Sequence, residues 1–91
     1  MATKQIGIIG GGKMGEALIA GLLRTKTVEK DGILVGEAVP ERREHLSKTY
    51  EIECTSDNGE VARRSDIIIL CVRPGDMAAA LLSIRDALIP E

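Results

Sequence analysis

Ile6-Gly7-Ile8-Ile9-Gly10-Gly11-Gly12-Lys13-Met14-Gly15-Glu16-Ala17-Leu18-Ile19-Ala20-Gly21-Leu22 decides how this chain folds. Ile6 to Ile9 is a short apolar run of the kind that forms a buried parallel strand. Gly10, Gly12 and Gly15 follow it in the pattern G-x-G-x-x-G. Met14, Ala17, Leu18, Gly21 and Leu22 then recur at helical spacing, as the apolar stripe of an amphipathic helix. Strand, glycine turn and helix in this order open a dinucleotide-binding βαβ unit. Gly10 permits a tight turn at angles a Cβ would resist. Gly12 lets the main chain approach a pyrophosphate, and Gly15 lets the helix pack closely on the strands. The free N–H groups of the helix start, with the positive end of its dipole, then face the phosphates. A glycine-rich turn without a ligand is the plain alternative, and the flanking strand and helix weigh against it.

The chain has 91 residues, of which 44% are hydrophobic. That suffices for one small domain of modest stability, spanning residues 1–91. Tyr50 is the sole aromatic residue. The core must therefore come from Ile, Leu, Val and Ala, which suits a parallel sheet covered by helices. A net charge of −2, with basic residues adjacent only at Arg42-Arg43 and Arg63-Arg64, gives no support for a nucleic-acid partner. No apolar run approaches the roughly 20 residues of a membrane helix. The N-terminal residues lack an apolar signal core, so a cytoplasmic location away from membranes is expected. Cys54 and Cys71 form no C-x-x-C pair and have no His at ligand spacing, so no metal site is expected. Both are read as small buried apolar side chains at strand ends.

Strands and helices alternate along the chain. The first strand is expected over Lys4 to Ile9 and the first helix over Met14 to Arg24. Asp31-Gly32 marks a turn before a second strand, Ile33-Leu34-Val35, that ends near Gly36-Glu37. Pro40 suits the first turn of a helix running from Glu41 to Tyr50. Glu51 to Thr55 forms a short third strand, and Ser56-Asp57-Asn58 opens a third helix, with Asp57 and Glu60 at capping-box spacing. Asp66 precedes Ile67-Ile68-Ile69-Leu70-Cys71-Val72, whose unbroken apolar run predicts a central strand buried on both faces. After Pro74-Gly75 a fourth helix should pack through Met77, Leu81, Ile84 and Leu88. Right-handed crossovers give a Rossmann-like α/β sheet in the order 3-2-1-4. Such a fold normally carries two further strands, so the chain is expected to be truncated relative to a full doubly wound domain. The order reverses between strands one and four, which places the ligand crevice at their carboxyl ends.

Glu37 lies 22 residues after Gly15, where an acidic residue commonly binds the adenine-ribose hydroxyls of NAD. It would repel the 2′-phosphate of NADP, whereas Arg42 or Arg43 could hold it. A solvated Glu at a strand end is the alternative. Val72-Arg73-Pro74 ends the fourth strand beside the crevice, where backbone groups and Arg73 could meet the cofactor. His45, the only histidine, is read as a solvated surface residue on a charged helix. No catalytic residue or triad can be named, which is no objection where a nicotinamide supplies the chemistry.

The opening from Ile6 to Leu22 resembles that of the pyrroline-5-carboxylate reductases, through its Met14-Gly15 pair and Gly21 after a small-residue helix. Asp57-Asn58-Gly59-Glu60-Val61 resembles that family's Asn-centred segment. Asp66-Ile67-Ile68-Ile69-Leu70-Cys71-Val72-Arg73-Pro74-Gly75 resembles its strand ending in Ala-Val-Lys-Pro. The resemblance implies reduction of L-Δ1-pyrroline-5-carboxylate to L-proline with NADPH or NADH, in proline biosynthesis. It places Ile9, Gly10, Gly11, Gly12, Lys13 and Met14 along the pyrophosphate and nicotinamide, Asn58 at the adenosine side, and Cys71, Val72, Arg73 and Pro74 against the cofactor. Taken as a lone residue, Asn58 could instead be a helix N-cap. Cys71 and Arg73 replace the family's usual Ala and Lys. Gly36-Glu37-Ala38-Val39 replaces a Ser/Thr-rich loop suited to a 2′-phosphate, so the choice leans to NADH. The family also has a helical domain, beyond these residues, that makes a homo-oligomer and supplies much of the imine site. A β-hydroxyacid dehydrogenase, a deazaflavin-dependent NADP reductase and a non-catalytic nucleotide-binding module are the rival readings.

Overall fold

A computed structural model describes residues 4–88. Four short parallel strands, β1 (Ile6–Ile9), β2 (Ile33–Gly36), β3 (Glu53–Thr55) and β4 (Ile67–Leu70), form one sheet in the order β3-β2-β1-β4. The expected order therefore holds. β1 lies between β2 and β4, with Ile8 opposite both Val35 and Ile69. Successive strand side chains point to opposite faces, so β1 and β2 feed two apolar layers. Ile8, Ile33 and Val35 join Ile19, Leu46 and Ile52 on one face. Ile9 and Leu34 join Val61, Ala62, Ala80 and Ile84 on the other.

The helices α1 (Lys13–Arg24), α2 (Pro40–Tyr50), α3 (Asn58–Arg64) and α4 (Met77–Leu88) alternate with the strands. Pro40 occupies the first turn of α2, where its missing N–H costs nothing. Glu51 closes α2 in the left-handed region, at φ 57°. β3 therefore begins at Glu53, two residues later than the sequence suggests. Asp57 is the N-cap of α3 and accepts the N–H groups of Gly59 at 2.9 Å and Glu60 at 3.3 Å. Glu60 does not complete the box; its carboxylate takes Thr55 and Arg64 instead.

Three sequence expectations need correction. The buried stripe of α1 runs through Gly15 and Ile19, flanked by half-buried Leu18, Leu22 and Leu23, while Met14 is 73% exposed and Ala17 is exposed. Close approach of Gly15 to the strands sets the helix rotation, and that turns Met14 outward. β4 is less buried than expected: last in the order 3-2-1-4, it pairs with β1 alone among the described residues, and Ile67 is 45% exposed. An apolar run cannot by itself distinguish an edge from a centre. Finally, α4 packs through Ala80 and Ile84, with Ala87 partly buried, whereas Leu81 and Leu82 face outward. The side chain of Leu88 lies outside what is described, as do residues 1–3 and 89–91. Cys54 and Cys71 are free and half-buried rather than buried, and burial pushes both thiols up.

Candidate functional site

A cleft of about 1070 Å³ opens at the carboxyl ends of β1 and β4. The glycine turn forms its floor. Gly10 has φ +105°, a backbone conformation that disfavours any side chain, and a Cβ there would also press on the Cys71 carbonyl. The Gly10 N–H donates to the Gly36 carbonyl at 2.8 Å, which ties the turn to β2. A Cβ on Gly15 would overlap the Gly10 carbonyl oxygen, so the helix could not approach this closely with a larger residue.

Gly12 is the N-cap of α1 and offers no side-chain acceptor. A Cβ on Gly12 would meet nothing within 4 Å. The first intrahelical bond runs from the Glu16 N–H to the Gly12 carbonyl at 2.9 Å. The N–H groups of Lys13, Met14 and Gly15 therefore stand at the helix start without an acceptor in the preceding turn. They and the dipole make this end of the cleft attractive to an anion.

Gly11 behaves differently from its neighbours. It is buried and turned away from the cleft. Its N–H donates to Glu37 Oε1 at 2.7 Å. Its carbonyl receives Arg42 Nε at 3.0 Å and Nη2 at 2.7 Å. The second oxygen of Glu37 accepts the Val39 N–H at 2.9 Å. Arg43 donates to the carbonyls of Glu37 at 2.8 Å and Ala38 at 3.0 Å. Both arginines thus donate to backbone carbonyls, and Arg42 also borders the cleft.

The remaining expected residues come together on the cleft walls. Ile9, Gly10, Gly12, Lys13 and Met14 line the floor, Glu37 and Asn58 one side, and Cys71 to Pro74 the other. Gly11 and Gly15 do not line the cleft and act beneath it. Asn58 is the first residue of α3, not its cap, and its Nδ2 donates to Ser83 Oγ at 3.2 Å. Cys71 is fixed by its N–H, which donates to the Ile9 carbonyl at 2.8 Å. Gly36, Ala38, Val39 and Arg42, and Asp76, Ala79 and Ala80 around the start of α4, complete the wall. The sequence reading reached the loop from Gly36 to Val39 and Arg42, but it did not single out Asp76, Ala79 or Ala80 as lining.

Sequence reasoning also missed the cluster behind the turn. Glu16, on the first turn of α1, accepts Arg42 Nη2 at 2.9 Å, His45 Nε2 at 3.0 Å and the Tyr50 hydroxyl at 2.8 Å. His45 is therefore partnered across α1 and α2 rather than simply solvated. These three donors, His45 foremost, hold the Glu16 carboxyl down from 4.5 to about 2. The same carboxylate pushes the Tyr50 hydroxyl up. The α1 and α2 spacing gives no hint of this, since the partners lie 26 to 34 residues apart. Among the described residues no group of three or more His, Cys, Asp or Glu could hold a metal ion. No helix among them is long and apolar enough to cross a membrane.

Comparison with known proteins agrees with this geometry. Pyrroline-5-carboxylate reductase of Synechocystis sp. is 42% identical over 80 residues, covering 88% of this chain and 30% of that protein. A crystal structure of Plasmodium falciparum pyrroline carboxylate reductase with NADP bound superposes with a TM-score of 0.80 at 27% identity, covering 97% of this chain and 31% of that one. A pyrroline-5-carboxylate reductase from Coxiella burnetii has the same fold, with a TM-score of 0.90 at 23% identity over 99% of this chain and 33% of that one. The chain thus spans about 30% of the length of the curated relative from Synechocystis. The pattern of the family described as "NADP oxidoreductase coenzyme F420-dependent" matches residues 5–90. With nearly the whole described fold inside that match, and the glycine turn at its head, the chain belongs to this NADP oxidoreductase family.

Proposed function

We propose that residues 1–91 are the dinucleotide-binding domain of a pyrroline-5-carboxylate reductase, which reduces L-Δ1-pyrroline-5-carboxylate to L-proline with NADH or NADPH. The observation that carries this reading is the open space above Gly12 at the start of α1, within a cleft at the switch point of the sheet. A ligand backbone of phosphates fits where a Cβ would project. The cleft volume, about 1070 Å³, is of the size that large ligands occupy. The 42% identity to a protein named for this activity supports the substrate.

In this reading the N–H groups of Gly12, Lys13 and Met14 hold the pyrophosphate. Gly10 and Gly15 keep the turn close to the strands. Asn58 faces the adenosine side, and the backbone from Cys71 to Pro74 borders the nicotinamide side. Once bound, the nicotinamide supplies a hydride for the C=N carbon of the imine. The chain's own part is to bind and orient, and no side chain among the described residues is assigned a proton transfer. Orientation of the imine, and contact with a second subunit, fall to a helical domain outside these residues. The setting is cytoplasmic.

Glu37 inclines the choice toward NADH. Two of its carboxylate positions are already occupied by N–H groups of Gly11 and Val39, which leaves lone pairs for ribose hydroxyls. A 2′-phosphate would meet that carboxylate, while Arg42, which borders the cleft, already donates to Gly11 and Glu16.

Gly12→Val tests the binding reading. Titration calorimetry with NADH and NADPH should show loss of affinity for both in a variant whose far-UV spectrum is unchanged. Unaltered affinity in a folded variant would remove the proposal.

A further inference from the structure

We propose that Arg42 and Glu16 are positioning residues for the nucleotide site: they clamp the peptide of Gly11 so that the turn is already in its binding conformation before a ligand arrives. This rests on the reading of the cleft as a dinucleotide site. It goes beyond that reading by assigning a bracing role to Glu16, behind the turn, and to Arg42, which also borders the cleft.

The geometry is specific. Gly11 is held at both polar ends, by Glu37 through its N–H at 2.7 Å and by the Arg42 fork through its carbonyl at 3.0 and 2.7 Å. The fork needs a fixed base, and Glu16 provides it, bonding the same Nη2 at 2.9 Å. Glu16 is in turn fixed from the far side by His45 at 3.0 Å and Tyr50 at 2.8 Å. Two helices are thereby joined to one glycine. A residue with no side chain has the greatest backbone freedom to lose on ordering. Holding its peptide in place removes that loss from the binding step. Arg42 is also the residue that charge alone would assign to a 2′-phosphate, so the two roles predict different outcomes.

Arg42→Lys keeps the charge and removes the planar fork. With the clamp lost, NADH and NADPH should weaken by the same factor, about tenfold, the order expected when one residue's backbone must be ordered during binding. Glu16→Gln, which touches no ligand, should move both in the same direction by a smaller factor. In the ligand-free full chain, amide exchange should quicken at Gly11 and its immediate neighbours in Arg42→Lys, with protection in β1 and β2 unchanged. Selective loss of NADPH would show a direct phosphate contact and overturn the clamp. Unchanged affinities with unchanged exchange would overturn it as well. Faster exchange throughout the sheet would do the same, by showing a general structural role. If the unaltered protein bound neither dinucleotide, the nucleotide reading would fail, and the exchange at Gly11 would still decide the clamp.

Discussion

Glu16 gives the fold a measurable dependence on acid. Its carboxyl sits at about 2 in the folded chain against an ordinary 4.5, because His45, Arg42 and Tyr50 all donate to the ionised form. A group held below its unfolded value contributes stability that is complete above the unfolded value and is lost as pH falls through the folded one. The window is therefore pH 4.5 down to 2. A fall of roughly two and a half pH units, at about 1.4 kcal/mol each, sets a ceiling of about 3.5 kcal/mol. Solvent reduces it, since the side chains of Arg42 and His45 are 32% and 43% exposed. About 1–2 kcal/mol is the expected remainder. Urea unfolding of the unaltered protein and Glu16→Gln, at pH 7, 5, 4 and 3, isolates this effect. Glu53 also lies below its ordinary value because of Arg64, but it contributes equally to both proteins and cancels. The stability difference should shrink as the pH falls below 4.5. A difference that stays flat down to pH 3 would refute the reasoning, because it would mean that Glu16 titrates alike in both states.

Leu46 is fully buried and would touch a Cβ placed on Gly11. Leu46→Ala should cost about 2–5 kcal/mol in urea unfolding, and a loss below 1 would show that the layer beneath α2 collapses freely. Ser65 Oγ is buried without a hydrogen-bond partner among the described residues. Ser65→Ala should therefore be neutral or stabilising by up to about 1 kcal/mol, measured by the same unfolding, and a clear loss would reveal a partner for the hydroxyl. Glu37→Ser should shift the ratio of kcat/KM for NADH over NADPH toward NADPH. A ratio that does not move would show that the carboxylate only braces Gly11 and does not read the ribose.

The order of the sheet was legible because it follows from local signals joined by one chiral rule. Each strand is bounded by turn residues, and right-handed crossovers leave few arrangements. What failed was depth. Ile67 to Leu70 has the composition of a doubly buried strand, yet Ile67 is exposed and the others are only partly buried, since burial depends on what lies beside the strand and not on the strand itself. The rotations of α1 and α4 failed for a related reason. Met14 and Leu81 fit an apolar stripe as well as their neighbours do, and only the close approach of Gly15 and the small size of Ala80 show which side meets the sheet.

The site divides along the same line. Gly10, Gly12 and Gly15 were readable because each role is set by its own backbone, through a positive φ, an open space or a close approach. Gly11 was expected along the pyrophosphate; it does not line the cleft, and its hydrogen bonds run to Glu37 and Arg42, 26 and 31 residues away, which spacing could not show. Arg42 also bears on an oddity of α2. That helix buries Leu46 as its one fully covered apolar side chain, and Arg42, His45 and Tyr50 add polar contacts to Glu16 of α1. Apolar periodicity registers only contacts made by apolar groups, so a helix docked by ion pairs looks solvated in sequence. The charged run Glu41-Arg42-Arg43-Glu44-His45 is thus partly an interface, and it braces the turn on which the nucleotide reading depends.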